Sequence, residues 1–138
     1  MTTAMQTHRI HIKATPEEVW DALLNRGEEY GYHARAEYDL DTATFKGLAN
    51  AQMREYGMPD VLIDGEILEA DLPNRLVQTW NPLFDERITA EPPVRLTWYV
   101  EEWPNGVTRL TLSADCEDAP LTYGITSGDV LRQWAAGR

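Results

Sequence analysis

Three histidines, one cysteine and a surplus of carboxylates are the residues in this chain that could hold a metal, attack a substrate or move a proton. His8 and His11 stand three apart in QTHRIHIKA, a stretch that alternates like a strand. Side chains three apart on a strand point to opposite faces, so the two cannot chelate together. His33 has no neighbouring His or Cys, and Cys116 stands alone, which suits an inert structural thiol. Asp64 and Glu66 share one strand face, and paired acids can raise one pKa and form an acid–base couple. With 23 acidic residues such pairs arise often by chance, so this pair is weak support for catalysis. There is no G-x-S-x-G elbow and no phosphate-cradling glycine loop. The balance is against an enzyme, and no metal or cofactor is expected.

The aromatic supply is the stronger signal. Trp80 and Trp98 sit on alternating stretches and either fill a core or wall a pocket. Gln78 shares a strand face with Leu76 and Trp80. That face is either solvated, or buried with a polar group that must find a partner. Tyr30, Tyr32, His33 and Tyr38 cluster in a tyrosine-rich segment, and Met53 and Tyr56 lie on a segment that could close over it. Soft methionine and amphipathic tyrosine suit an adaptable binding surface, and an ordinary secondary core is the alternative. Trp134 continues a terminal apolar stripe with Val130 and Leu131.

These residues need elements to position them. The chain of 138 residues fits one domain, 1–138. Residues 6–14 alternate as a half-buried strand. Thr15 then caps a helix, with Pro16 at its first position and Glu18 completing a capping box, and Val19, Trp20, Leu23 and Leu24 form its apolar side. Strands are expected near Ala34–Leu40 and Thr42–Leu48, followed by a short helical segment in NAQMREYGMP. IDGEILEADLPNRLVQTW reads as two strands around a Pro73–Asn74 turn. Residues 81–92 read as a loop. Val94–Glu101 and Arg109–Ala114 alternate on either side of a Pro104-Asn105-Gly106 turn. Asp118–Ala136 reads as partly helical. Runs of hairpins with segregated helices mean α+β.

The formal charge of −11 comes from 12 basic against 23 acidic residues, and no basic run occurs. Nucleic-acid affinity depends on Lys and Arg displacing counterions, so nucleic acid and anionic membrane surfaces are poor partners. No apolar stretch is long enough for a membrane span, and no signal-peptide pattern opens the chain. A lone cysteine suits a reducing cytoplasm.

ATPEEVWDAL at 14–23, DGEILEADLPNRLVQTW at 64–80, VRLTWYVEE at 94–102 and GVTRLTLSADCEDAP at 106–120 occur in an order that resembles one family. It is the Activator-of-Hsp90-ATPase-homologue-like (AHSA1-like) branch of the START/Bet v 1-like superfamily, also labelled SRPBCC. The resemblance implies a helix-grip fold, with six or seven antiparallel strands curled around a C-terminal helix and a cavity between them. It also implies binding of an apolar or amphiphilic small molecule. Two alternatives follow from the same resemblance: a co-chaperone-like interaction module, or a cyclase- or hydrolase-like enzyme acting in the cavity. The expected terminal helix is short here, about 15 Å for Ser127–Ala136. A short helix leaves apolar sheet uncovered, which favours a homodimer.

Overall fold

Alternation of period two dominates the chain, and the strands follow it. A computed structural model describes residues 5–25 and 35–116. Its elements in order are β1 (Met5–Ile12), α1 (Pro16–Asn25), β2 (Arg35–Asp39), β3 (Thr44–Leu48), α2 (Ala51–Glu55), β4 (Val61–Asp71), β5 (Arg75–Pro82), α3 (Glu86–Thr89), β6 (Val94–Trp103) and β7 (Val107–Asp115). The seven strands form one antiparallel sheet in the order β1-β7-β6-β5-β4-β3-β2. This is the curved sheet of an α+β helix-grip fold. The terminal segment lies outside the described residues, and with it the expected short helix and the homodimer argument built on it.

One face of the sheet carries the core. Leu76, Gln78, Trp80 and Pro82 on β5 are buried in strict alternation, as are Val94, Leu96, Trp98 and Val100 on β6. Thr108, Leu110, Leu112 and Ala114 continue the pattern on β7. α1 adds Val19, Trp20, Ala22 and Leu23 to the same cluster.

Local chemistry sets the element ends. The Thr15 hydroxyl accepts from the Glu18 N–H at 3.2 Å, and the Glu18 carboxylate accepts from the Thr15 N–H at 3.0 Å. Two orphan donors of the first helical turn are thereby satisfied, as the sequence predicts. Asn105 and Gly106 take φ of 66° and 73°, left-handed values that let the three residues between the paired Trp103 and Val107 reverse the chain. β3 starts at Thr44 rather than Thr42, because the Asp39 carboxylate accepts from the N–H groups of Asp41 and Thr42 and holds them in a turn. The expected loop at 81–92 is also corrected. β5 runs through Pro82, and Glu86–Thr89 is helical because the Asp85 side chain caps Arg87 N–H at 2.9 Å and Ile88 is buried beneath it.

The sheet bends at β4. Register shifts occur between Gly47 and Leu48 on the β3–β4 pairing and between Ile67 and Glu69 on the β4–β5 pairing. Bulges of this kind increase local twist. Between the two shifts lies Gly65, where an added Cβ would stand 2.0 Å from the Thr79 carbonyl oxygen. The obstacle is backbone, so it cannot swing aside. Gly65→Ala is therefore expected to lower stability by roughly 2–3 kcal/mol through overpacking, read as a lower urea midpoint with an unchanged slope.

Candidate functional site

A primary amide with no solvent exposure organises the inner face. Gln78 sits midway along β5 and is fully buried. Its Oε1 accepts from the Trp98 indole N–H at 2.9 Å and from the Tyr38 hydroxyl at 2.7 Å. An indole nitrogen can only donate, so the amide atom facing it must be the oxygen. The Tyr38 hydroxyl must then give its proton to that same oxygen. The amide nitrogen has a longer contact, 3.4 Å, to the Thr79 carbonyl. The question the sequence leaves open at Gln78 is resolved: its face is the core face.

Tyr38 is thereby fixed against the sheet from an edge strand. Its ring lies 4.8 Å from that of Phe45 across the β2–β3 pairing. Burial raises the phenol's pKa above its ordinary value, and the bonds to Gln78 and Trp98 only partly oppose this.

The second wall comes from α1 and the β4–β5 turn. Trp20 is buried on α1, and its indole N–H donates to the Pro73 carbonyl at 2.6 Å. A cavity of about 580 Å³ opens between these walls, lined by Trp20, Leu24, Tyr38, Leu40, Leu72 and Pro73. Small-molecule sites range over roughly 300–1,000 Å³ and are mostly apolar. Leu40 and Leu72 are large apolar residues left exposed at its margin. Glu17, Asp21 and Asn25 complete the lining from α1. A neighbouring recess of about 670 Å³ shares Leu24, Tyr38 and Leu40 but is walled largely by polar groups, among them Glu37, Asp39, Asp41 and Lys46.

The residues singled out from the sequence separate into groups. The structure joins Tyr38, Gln78 and Trp98 in one hydrogen-bonded cluster. Trp80 is buried in the core, and neither Trp80 nor Trp98 is among the residues lining the two cavities above. Met53 is half-buried on α2, and Tyr56, at the end of that helix, is 80% exposed. Tyr30, Tyr32, His33 and Trp134 lie outside the described residues. His8 and His11 do diverge: His8 is half-buried beside Gln6 on the core side, and His11 meets the Trp103 ring 4.5 Å away on the other. Among the described residues, no three His, Cys, Asp or Glu side chains could hold a metal ion together. Asp64 and Glu66 are both exposed, paired in register with Lys46 and Thr44. Cys116 is buried beyond the end of β7. No helix among the described residues is long and apolar enough to cross a membrane.

Sequence reasoning overlooked the groove itself. Trp20 and Leu24 were legible only as a helix stripe, and Leu72 and Pro73 only as a turn. The available signal was a leucine at each of two polar turns, Leu40 and Leu72, where no core demands one.

The fold and its walled hollow define a protein of the helix-grip class. The sequence matches the family model for Activator of Hsp90 ATPase homolog 1-like protein over residues 13–136, and the chain belongs to that AHSA1-like SRPBCC family. No curated protein matches it by sequence. Several solved structures are similar. MLL2253 from Mesorhizobium loti is 21% identical, with a TM-score of 0.66 over 96% of this chain and 93% of its own. CalU16 from Micromonospora echinospora is 17% identical, with a TM-score of 0.66 over 94% of this chain and 68% of its own. PFC0360w, an HSP90 activator from Plasmodium falciparum, is 14% identical, with a TM-score of 0.64 over 90% of this chain and 86% of its own. At such identities the likeness is one of fold.

The shared amide oxygen makes a specific energetic prediction. Gln78→Leu leaves two buried donors without an acceptor and should cost roughly 2–5 kcal/mol. Adding Tyr38→Phe removes one orphan donor, so the double variant should be no less stable than Gln78→Leu alone. Urea midpoints of the three variants check this, and simple additivity would contradict the cluster.

Tyr38 also sets an alkaline limit. Its folded pKa lies above the unfolded value of about 10. Its contribution is therefore fully present below pH 10 and is lost as pH rises above it, because the unfolded chain releases the proton first. Tyr38→Phe should flatten the fall of stability with pH above pH 10, measured as urea midpoints at successive pH values.

Proposed function

We propose that this protein binds a small apolar or amphiphilic molecule in the groove between α1, β2 and the β4–β5 turn, without a catalytic role. The observation that carries this reading is the lining itself. Trp20, Leu24, Tyr38, Leu40, Leu72 and Pro73 surround about 580 Å³ with mainly apolar groups. Two of them are held by hydrogen bonds that involve no ligand: Trp20 to Pro73 and Tyr38 to Gln78. Such walls are in place before a ligand arrives, which lowers the ordering cost of binding. Membership of the AHSA1-like family is compatible with this role but does not by itself specify a ligand. A catalytic reading lacks equivalent support, since the Asp64–Glu66 pair is exposed and lies outside the groove lining.

The reading is tested with Nile red, a neutral solvatochromic dye, displaced by decanol. Saturable dye binding with a blue shift, competed by decanol, is expected. Leu24→Trp, which places a larger side chain into the groove from α1, should weaken dye binding at least about tenfold, the effect of losing some 1.4 kcal/mol of contact. Absence of saturable binding, or an unaltered affinity in folded Leu24→Trp, would exclude this groove.

A further inference from the structure

Resting on that reading, the structure assigns a polar end to the ligand: we infer that the groove selects amphiphiles with a cationic head, such as a primary or substituted alkylammonium. Two features of the lining agree in sign. First, Glu17 and Asp21 line the groove beside its aromatic walls, and among the described residues no basic side chain is in that lining. Among the described residues neither carboxylate is ion-paired, and Asp21 accepts only from the Asn25 amide. Second, Trp20 and Tyr38 offer aromatic surface, and ammonium groups are attracted to such rings.

The spacing on α1 explains how one helix supplies both ends of the site. Glu17, Asp21 and Leu24 fall four and three residues apart and so lie along one stripe, with Trp20 beside them. The apolar members of that stripe contact the ligand body, and its carboxylates meet the head group. An anionic head would meet two carboxylates.

The test compares decylammonium, decanol and decyl sulfate as competitors of Nile red at pH 7 and low salt, each below its micelle concentration. Decylammonium should bind about tenfold tighter than decanol, with decyl sulfate weaker than both. Raising the salt to about 0.5 M should shrink that ratio. Glu17→Gln with Asp21→Asn should bring the ratio close to one while the melting transition is retained. Glu55→Gln with Glu102→Gln removes the same charge from exposed positions outside the groove and should leave the ratio as it was. Equal affinity for decylammonium and decanol overturns the cationic preference and leaves the apolar groove standing. An equal loss of preference in both double variants overturns it too, since net charge and not the groove would then be responsible. Failure of every competitor and of the dye overturns the groove reading and this inference with it.

Discussion

Gln78 places one amide oxygen where two donors from different parts of the sheet converge, and the shape of the inner face follows from satisfying them. Trp98 reaches it from the adjacent strand β6. Tyr38 reaches it from β2, three strands away. Neighbouring strands lie about 4.8 Å apart, so side chains standing straight out of a flat sheet would be separated by about 14 Å at their bases. A 2.7 Å hydrogen bond across that interval requires the sheet to curl until its edge leans over its centre. The curl is made locally, by the two register shifts in β4's pairings and by the close approach of Gly65 to Thr79. The bond and the bend depend on each other: without the bend the donor cannot reach, and without the acceptor a desolvated phenol is left unpaired.

The groove is a consequence of that arrangement. Once β2 is drawn inward, Tyr38 and Leu40 form a wall, and the space opposite is set by how α1 is held. α1 is fixed at its start by the reciprocal Thr15–Glu18 cap and along its length by the Trp20–Pro73 hydrogen bond. At the centre of the inner face Leu76, Trp80, Leu96, Trp98, Leu110 and Leu112 pack in one buried cluster. Close-packed interiors leave few voids larger than a water molecule. The groove lies where three elements of unlike geometry meet: α1, the end of β2 and the β4–β5 turn.

How much of this was legible beforehand differed by the range of the interaction. The α1 cap and the Asn105–Gly106 turn depend on residues within three or four positions of each other, and the sequence states them directly. The strands of the β4–β5 and β6–β7 hairpins were legible from alternation. The face to which Gln78 belonged was not, because a period of two marks two faces without saying which is buried. α3 was passed over because Pro82, Pro92 and Pro93 suggested loop, although Asp85 before Arg87 and Ile88 was a readable cap. Gly65 carried a weak signal, since a glycine inside a strand often marks close backbone approach. The pairing of Tyr38 with Gln78 spans forty positions and depends on the curl of the sheet, which no local pattern encodes.

The same distinction separates fold from specificity. Solved structures that share 14–21% identity superpose over most of this chain, because the alternating core positions can be filled by many apolar residues of similar volume. The groove draws on another set of positions: one stripe of α1, the end of β2 and the tip of the β4–β5 turn. Several of these residues, including Glu17, Asp21, Leu40 and Leu72, are exposed, so little in the core constrains their identity. Two chains can therefore keep the curled sheet and exchange a carboxylate for an amine on α1 at small cost in stability. Such an exchange reverses the sign of the groove while leaving the family pattern intact. The chemistry of the ligand is accordingly read from the few side chains at the margin, and the core explains only why they face one another.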